Sequence, residues 1–145
     1  MKKIFLLRKW YELIWLFGLR PPLHKNQTRG WYGEWLASHH LKKNNYKFIA
    51  KNWRSSLDAR REIDLICIDL ECLVFVEVRA RSAKALNLGY FSITKAKRKT
   101  LLLACKDFLR FHQNHYKVYR FDVIEVDLEN SGETLIHHQN VSLFP

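Results

Sequence analysis

The sequence predicts a single α/β domain with a mixed central sheet flanked by helices, preceded by an extra amphipathic helix. Three observations predict it. Residues 62–68 and 73–79 are β-branched-rich runs four residues apart, as in an antiparallel hairpin closed by Asp69-Leu70-Glu71-Cys72. Helical patterns at residues 30–45 and 94–112 bracket that hairpin. A further strand-like run, residues 117–127, follows the second helix.

The elements follow in order. Leu6, Trp10, Leu13, Ile14 and Phe17 fall on one helical face, with Arg8 and Glu12 opposite. Arg20-Pro21-Pro22 ends this helix and acts as a hinge, dividing an N-terminal extension (1–24) from the domain (25–145). In residues 30–45, Ala37 and Leu41 share a face and Asn44-Asn45 stops the helix. Residues 46–53 read as a strand, 54–61 as a polar loop, and 82–92 as a loop around Gly89. Thr94 is suited to cap a helix whose inward positions are Leu101, Ala104, Cys105 and Phe108. A short edge strand is expected after Gly132.

Composition narrows the function. With 145 residues, 48% of them hydrophobic, and only five Gly and three Pro, the chain has enough core to fold alone and is not disordered. Three cysteines, none in a C-x-x-C pair, argue against a disulfide scaffold or zinc knuckle and for a reducing, cytoplasmic setting. The longest uncharged stretch near the N-terminus, residues 13–19, is far short of the ~20 residues that span a bilayer. There is no Walker loop, no G-x-G-x-x-G and no G-x-S-x-G elbow, which removes the common nucleotide-binding and hydrolase readings.

Net charge is +11, distributed unevenly. Residues 1–120 hold all 25 basic residues and nine of the 14 acidic ones, a balance of +16 against −5 for the remainder. Residues 78–106 contain eight basic residues and no acid. Such a field attracts a polyanion, and nucleic acid is the partner expected, DNA ahead of RNA. The N-terminal helix admits packing on the domain, a homodimer contact, or, as a weaker reading, adsorption to a membrane surface through residues 1–20.

The chemistry is expected in the hairpin. If Ile68 pairs with Leu73, Asp64 falls opposite Glu77, and a one-residue slip would send them to opposite faces. Two carboxylates roughly 5 Å apart on an apolar sheet repel and lose solvation. A divalent cation or the adjacent Arg79 would offset that cost, and oxygen ligands with an open face suit Mg²⁺ or Mn²⁺. Glu34 shares the inward face of its helix with Ala37 and Leu41. Lys97, one turn before Leu101, can reach toward the sheet and a phosphate. Glu62, at the strand start, is either an accessory ligand or a neighbour of Arg61. Trp31, Trp35 and Trp53 could stack bases, though large aromatics more often serve a core or an interface. His112-x-x-His115 lacks the flanking ligands of a metal site, and the adjacent pairs His39-His40 and His137-His138 each point two ways.

These residues resemble a family. Asp64 followed by Glu77-Val78-Arg79 is similar to the PD-(D/E)XK nuclease motif. The fuller resemblance is to the YraN-like family of small bacterial proteins with a restriction-endonuclease-like, Holliday-junction-resolvase-like fold. It runs through Gly30-Trp31-Tyr32-Gly33-Glu34, Asn52-Trp53-Arg54, Glu62-Ile63-Asp64-Leu65-Ile66, Val74-Phe75-Val76-Glu77-Val78-Arg79-Ala80-Arg81, Lys97-Arg98-Lys99 and Arg120-Phe121-Asp122-Val123. It covers roughly residues 26–127 and leaves out the N-terminal helix. The resemblance implies a structure-selective, metal-dependent DNA endonuclease with Asp64, Glu77 and Arg79 as catalytic residues. The metal would be held by Asp64, Glu77, Glu34 and the carbonyl of Val78. Nucleic acid would meet Arg61, Arg81, Lys95, Lys97, Arg98 and Lys99.

Two positions depart from the family pattern: Arg61 stands where Gly is usual, and Arg79 replaces the motif Lys. Arg keeps the charge and can fork onto a phosphate, yet it is a poor proton acceptor. If the motif cation acts by charge, catalysis survives. If it must move a proton, the alternative is a non-catalytic nucleic-acid-binding protein that retains the nuclease fold.

Overall fold

The fold is known from a computed structural model that describes residues 2–19, 26–81, 93–113, 115–128 and 134–143. The hinge at residues 20–22 and the loop 82–92 lie outside them, as does the side chain of Arg81. The chain runs α1 (Lys2–Leu16), α2 (Asn26–Lys43), β1 (Lys47–Arg54), β2 (Glu62–Asp69), β3 (Cys72–Arg81), α3 (Lys95–Phe111), β4 (Tyr119–Asp127) and β5 (Thr134–His138). The result is an α/β fold with one five-stranded mixed sheet in the order β1-β2-β3-β4-β5. Among the described strands only β3 and β4 pair in parallel, and α3 lies on the crossover between them.

The sheet buries both faces. Leu65, Cys67, Val74 and Val76 meet Tyr32, Ala37 and Leu41 of α2 and Trp15 of α1. Ile66, Leu73 and Phe75 meet Leu101, Ala104, Cys105 and Phe108 of α3. The alternation along β3 produces this division. Thr94 caps α3 through its Oγ1, which accepts the Lys97 N–H at 3.2 Å. After α2, Asn45 takes a left-handed φ of 66°, and the Tyr46 N–H bonds back to the Leu41 carbonyl at 3.0 Å.

The hairpin is tighter than its sequence suggests. Asp69 pairs with Cys72, leaving only Leu70 and Glu71 in the turn, with Leu70 at φ 55°. Arg120 holds Asp69 at 2.9 Å, which extends the ladder by one pair.

The N-terminal helix differs more. Leu6, Trp10, Leu13 and Phe17 face solvent, whereas Tyr11, Ile14 and Trp15 pack on the domain. The helix is turned so that its polar residue Arg8 faces inward, because Arg8 finds ionic and hydrogen-bonding partners there.

Alternation fails at a β1 register shift between Phe48 and Ala50, and again around the candidate site. Ile63 and Ile66 share the α3-side core, as do Ala50 and Trp53 on the neighbouring strand. Both strands therefore shift face around Asp64 and Asn52, and Asn52 has a left-handed φ of 51°. Asn tolerates that conformation better than a β-branched residue would.

Candidate active site

The β2–β3 ladder pairs Ile68 with Leu73 and ends at Leu65 with Val76. Asp64 and Glu77 are the next positions along it, at the point where the strands part. The Val78 N–H, which a continuing ladder would consume, donates instead to Asp64 Oδ2 at 2.8 Å. Asp64 thus takes the place of a backbone acceptor.

The electrostatics are unfavourable for its charged form. Burial raises the pKa of Asp64 well above the ordinary carboxylate range, and the charges of Glu77 and Glu34 push it further; the Val78 N–H and Lys97 oppose this. Glu77 is 3% exposed. Burial raises its pKa too, against the pull of Lys97 and Arg79. Lys97 Nζ lies 3.2 Å from Glu77 Oε2, and Arg79 Nη1 lies 3.4 Å from Oε1. Lys97 reaches the sheet because the cap at Thr94 starts α3 one turn before the buried Leu101.

Glu34 approaches from α2. Gly33 permits the close helix–sheet contact, since a Cβ there would lie 3.2 Å from Ala80 Cβ. Glu34 Oε2 accepts from Arg8 Nη2 at 2.8 Å and from Asn52 Nδ2 at 3.0 Å. Arg8 Nη1 also donates to Asn52 Oδ1 at 2.7 Å.

The structure therefore gathers Glu34, Asp64, Glu77, Arg79 and Lys97 about the strand separation, with Val78 contributing its N–H. Every carboxylate in the group already has a protein donor. Among the described residues, no set of three or more His, Cys, Asp or Glu side chains is close enough to hold a metal as arranged. An open cleft of about 450 Å³ adjoins the site, lined by Asn26, Arg29, Gly30, Val78, Arg79 and Ala80.

Other expected residues lie elsewhere. Arg61 Nη1 binds Asp107 at 2.9 Å, an oxygen also held by Ser55 Oγ at 2.6 Å. It is a latch between the β1–β2 loop and α3. Glu62 pairs with Arg54 at 3.0 Å. Lys95 and Lys99 are exposed on the first turns of α3, and Arg98 is half-buried. Trp31 and Trp35 pack against the α2-side core, and Trp53 meets Phe108 edge-on at 5.3 Å.

Sequence reasoning passes over Arg8 and Asn52 as site residues. Arg8 has no local signal, because its partner is on another helix. Asn52 has one: Asn is disfavoured inside a strand.

Comparison with known proteins bears on this arrangement. The model of an uncharacterised protein family, UPF0102, matches residues 33–126. The chain belongs to the UPF0102 family. A UPF0102 protein of Lawsonia intracellularis is 35% identical over 115 residues, covering 79% of this chain and 85% of the relative. One from Rhodococcus opacus is 31% identical over 113 residues, covering 78% and 93%. One from Clostridium perfringens is 35% identical over 102 residues, covering 70% and 81%. The UPF0102 match begins at Gly33, so Asn52, Asp64, Glu77, Arg79 and Lys97 lie inside it and Arg8 outside. The Arg8–Glu34 contact thus joins the UPF0102 domain to the extension before it.

Proposed function

We propose that this UPF0102 protein is a metal-dependent endonuclease with a restriction-endonuclease-like fold, cleaving DNA phosphodiesters by structure rather than by sequence. The observation that carries the reading is the pair of half-buried Asp64 and buried Glu77 at the separation of β2 and β3. A fold does not place two raised-pKa carboxylates beside each other without cause, and perturbed carboxylates at a cleft are characteristic of functional sites. Carboxylate and carbonyl oxygens are the hard donors that Mg²⁺ or Mn²⁺ takes, and Asp64, Glu77, Glu34 and the Val78 carbonyl would have to draw together to hold one. Such an ion, when bound, makes a coordinated water more acidic and stabilises charge on a phosphodiester.

The protein's own groups divide the remaining work. Asp64 is held in place by the Val78 N–H. Glu77 is held between Lys97 and Arg79. Arg79, also on the wall of the basic cleft, can fork onto a phosphate. Lys97 can either steady a phosphate or give up a proton, which a guanidinium does not do. It is therefore the residue suited to the role left open by Arg79. Lys95, Arg98 and Lys99 would contact backbone phosphates without reading bases.

A second reading, a non-catalytic nucleic-acid-binding protein, is favoured by one observation. Arg8 already pairs with Glu34, and Arg79 and Lys97 with Glu77, without a metal. A cleavage assay with Mg²⁺ and Mn²⁺ on single-stranded, duplex, flap and four-way DNA separates the two. Cleavage lost in Asp64→Ala supports the nuclease; metal-independent binding with no cleavage supports the binder.

A further inference from the structure

The outer face of α1 is apolar and uncovered. Leu6, Trp10, Leu13 and Phe17 form a stripe at steps of four, three and four residues, each between 54% and 78% exposed. Leu16 and Leu19 widen it at the C-terminal end. The helix cannot roll to bury this stripe, because Arg8 is bonded to Glu34 and Asn52 on the inner face and Trp15 is fully packed there. Exposure on this scale marks an interaction surface.

The charge beside the stripe says what covers it. Helix α1 contains Lys2, Lys3, Arg8 and Lys9 against the single acid Glu12. Arg8, Lys9, Glu12 and Lys51 line an adjoining cleft of about 240 Å³, and Glu12 is paired with Arg8. A second copy would bring the same excess of positive charge against itself. An anionic surface would not. We propose that the outer face of α1 docks on an anionic lipid bilayer, with the helix lying in the interfacial plane. A 15-residue helix is about 22 Å long, too short to cross the ~30 Å hydrocarbon layer. Among the described residues no helix is long and apolar enough to cross a membrane. An apolar stripe carrying Trp and bordered by lysine is the pattern of a helix that rests on the membrane. The inference is independent of the nuclease reading, because the stripe shares no residue with the candidate site.

Co-sedimentation of the full chain with extruded vesicles tests it. Phosphatidylcholine vesicles are compared with vesicles containing about 30% phosphatidylglycerol, a charge density that attracts basic segments, for wild type and for Leu13→Glu with Phe17→Glu. Wild type should bind the anionic vesicles at least tenfold more tightly than the neutral ones, and the double variant should lose that binding at least tenfold. Both changes are at exposed positions; if the pair prevents folding, Phe17→Ser alone should weaken binding at unchanged thermal stability. Equal partition into both vesicle types, or undiminished binding by the variants, overturns the proposal. So does a wild-type dimer that ignores vesicles and becomes monomeric in the variants, which would make a second copy the occupant.

Discussion

The Arg8 guanidinium lies 2.8 Å from the Glu34 carboxylate, bridging the N-terminal helix to the helix that supplies one of the proposed metal ligands. Both side chains are largely buried, 17% and 16% exposed. A guanidinium and a divalent cation are alternative partners for the same oxygens.

Arg8 should therefore compete with metal. Arg8→Ala is expected to tighten Mn²⁺ binding about tenfold, or ~1.4 kcal/mol. The same change should lower stability without metal, because Glu34 loses its ion-pair partner. Titration calorimetry with Mn²⁺ and a thermal scan in chelator measure the two effects. Unchanged or weaker Mn²⁺ affinity in Arg8→Ala would remove Glu34 from the ligand set.

Asp64 makes stability depend on pH in a stated direction. Its native pKa is raised, by burial first and then by Glu77 and Glu34. The native state holds a proton that the unfolded chain releases, so this group's contribution falls as pH rises from the ordinary Asp value toward the native one. Asp64→Asn removes that penalty and keeps an oxygen for the Val78 N–H. Its Tm at neutral pH should exceed wild type by ~3–6 °C, and the two should converge near about pH 4. A variant less stable than wild type at neutral pH would contradict this reading of the site.

Much of this arrangement is legible in the sequence for a simple reason. Strand alternation is local, so pairing Ile68 with Leu73 carries the ladder to Leu65 and Val76, one position short of Asp64 and Glu77. The cap at Thr94 and the inward turn of Lys97 follow from helical spacing in the same way. What escapes is tertiary. Helical spacing alone sends the polar face of α1 to solvent, yet Arg8 finds Glu34, 26 residues away. Likewise Asp122 and Glu125 interrupt an apolar strand as Asp64 does, but their partners His137 and His138 arrive from an edge strand. No local pattern names a partner at that distance.

Basic residues should also separate by role. Arg61 is committed to Asp107, whose pKa is held down by Ser55 and by Arg61 itself. Arg61→Ala should cost ~1–3 kcal/mol of stability and leave the salt dependence of DNA binding unchanged. Changing Lys97, Arg98 and Lys99 together to Ala should do the reverse, flattening the salt slope by about 0.9 for each duplex phosphate that is no longer neutralised. Binding measured from low to high salt decides; an unchanged slope in the triple variant would take the start of α3 out of the interface.

Arg79 and Lys97 can be ranked by exchange. Arg79→Lys should raise cleavage, since it adds a group able to shift its pKa in a partly buried setting. Lys97→Arg keeps the positive charge beside Glu77 and removes proton transfer. It should lower the rate by about a hundredfold or more, within the usual span of a general acid–base contribution. Equal rates in wild type and Lys97→Arg would assign Lys97 to charge alone.

The most direct measurement is cleavage of four-way, flap, single-stranded and duplex DNA with Mn²⁺, wild type beside Asp64→Ala. The account predicts slow cleavage by wild type that needs the metal and favours branched substrates. It predicts none by Asp64→Ala, whose DNA affinity is equal or higher because a negative charge near phosphate is gone. Silence from both wild type and Arg79→Lys on every substrate, with DNA still bound, would contradict it.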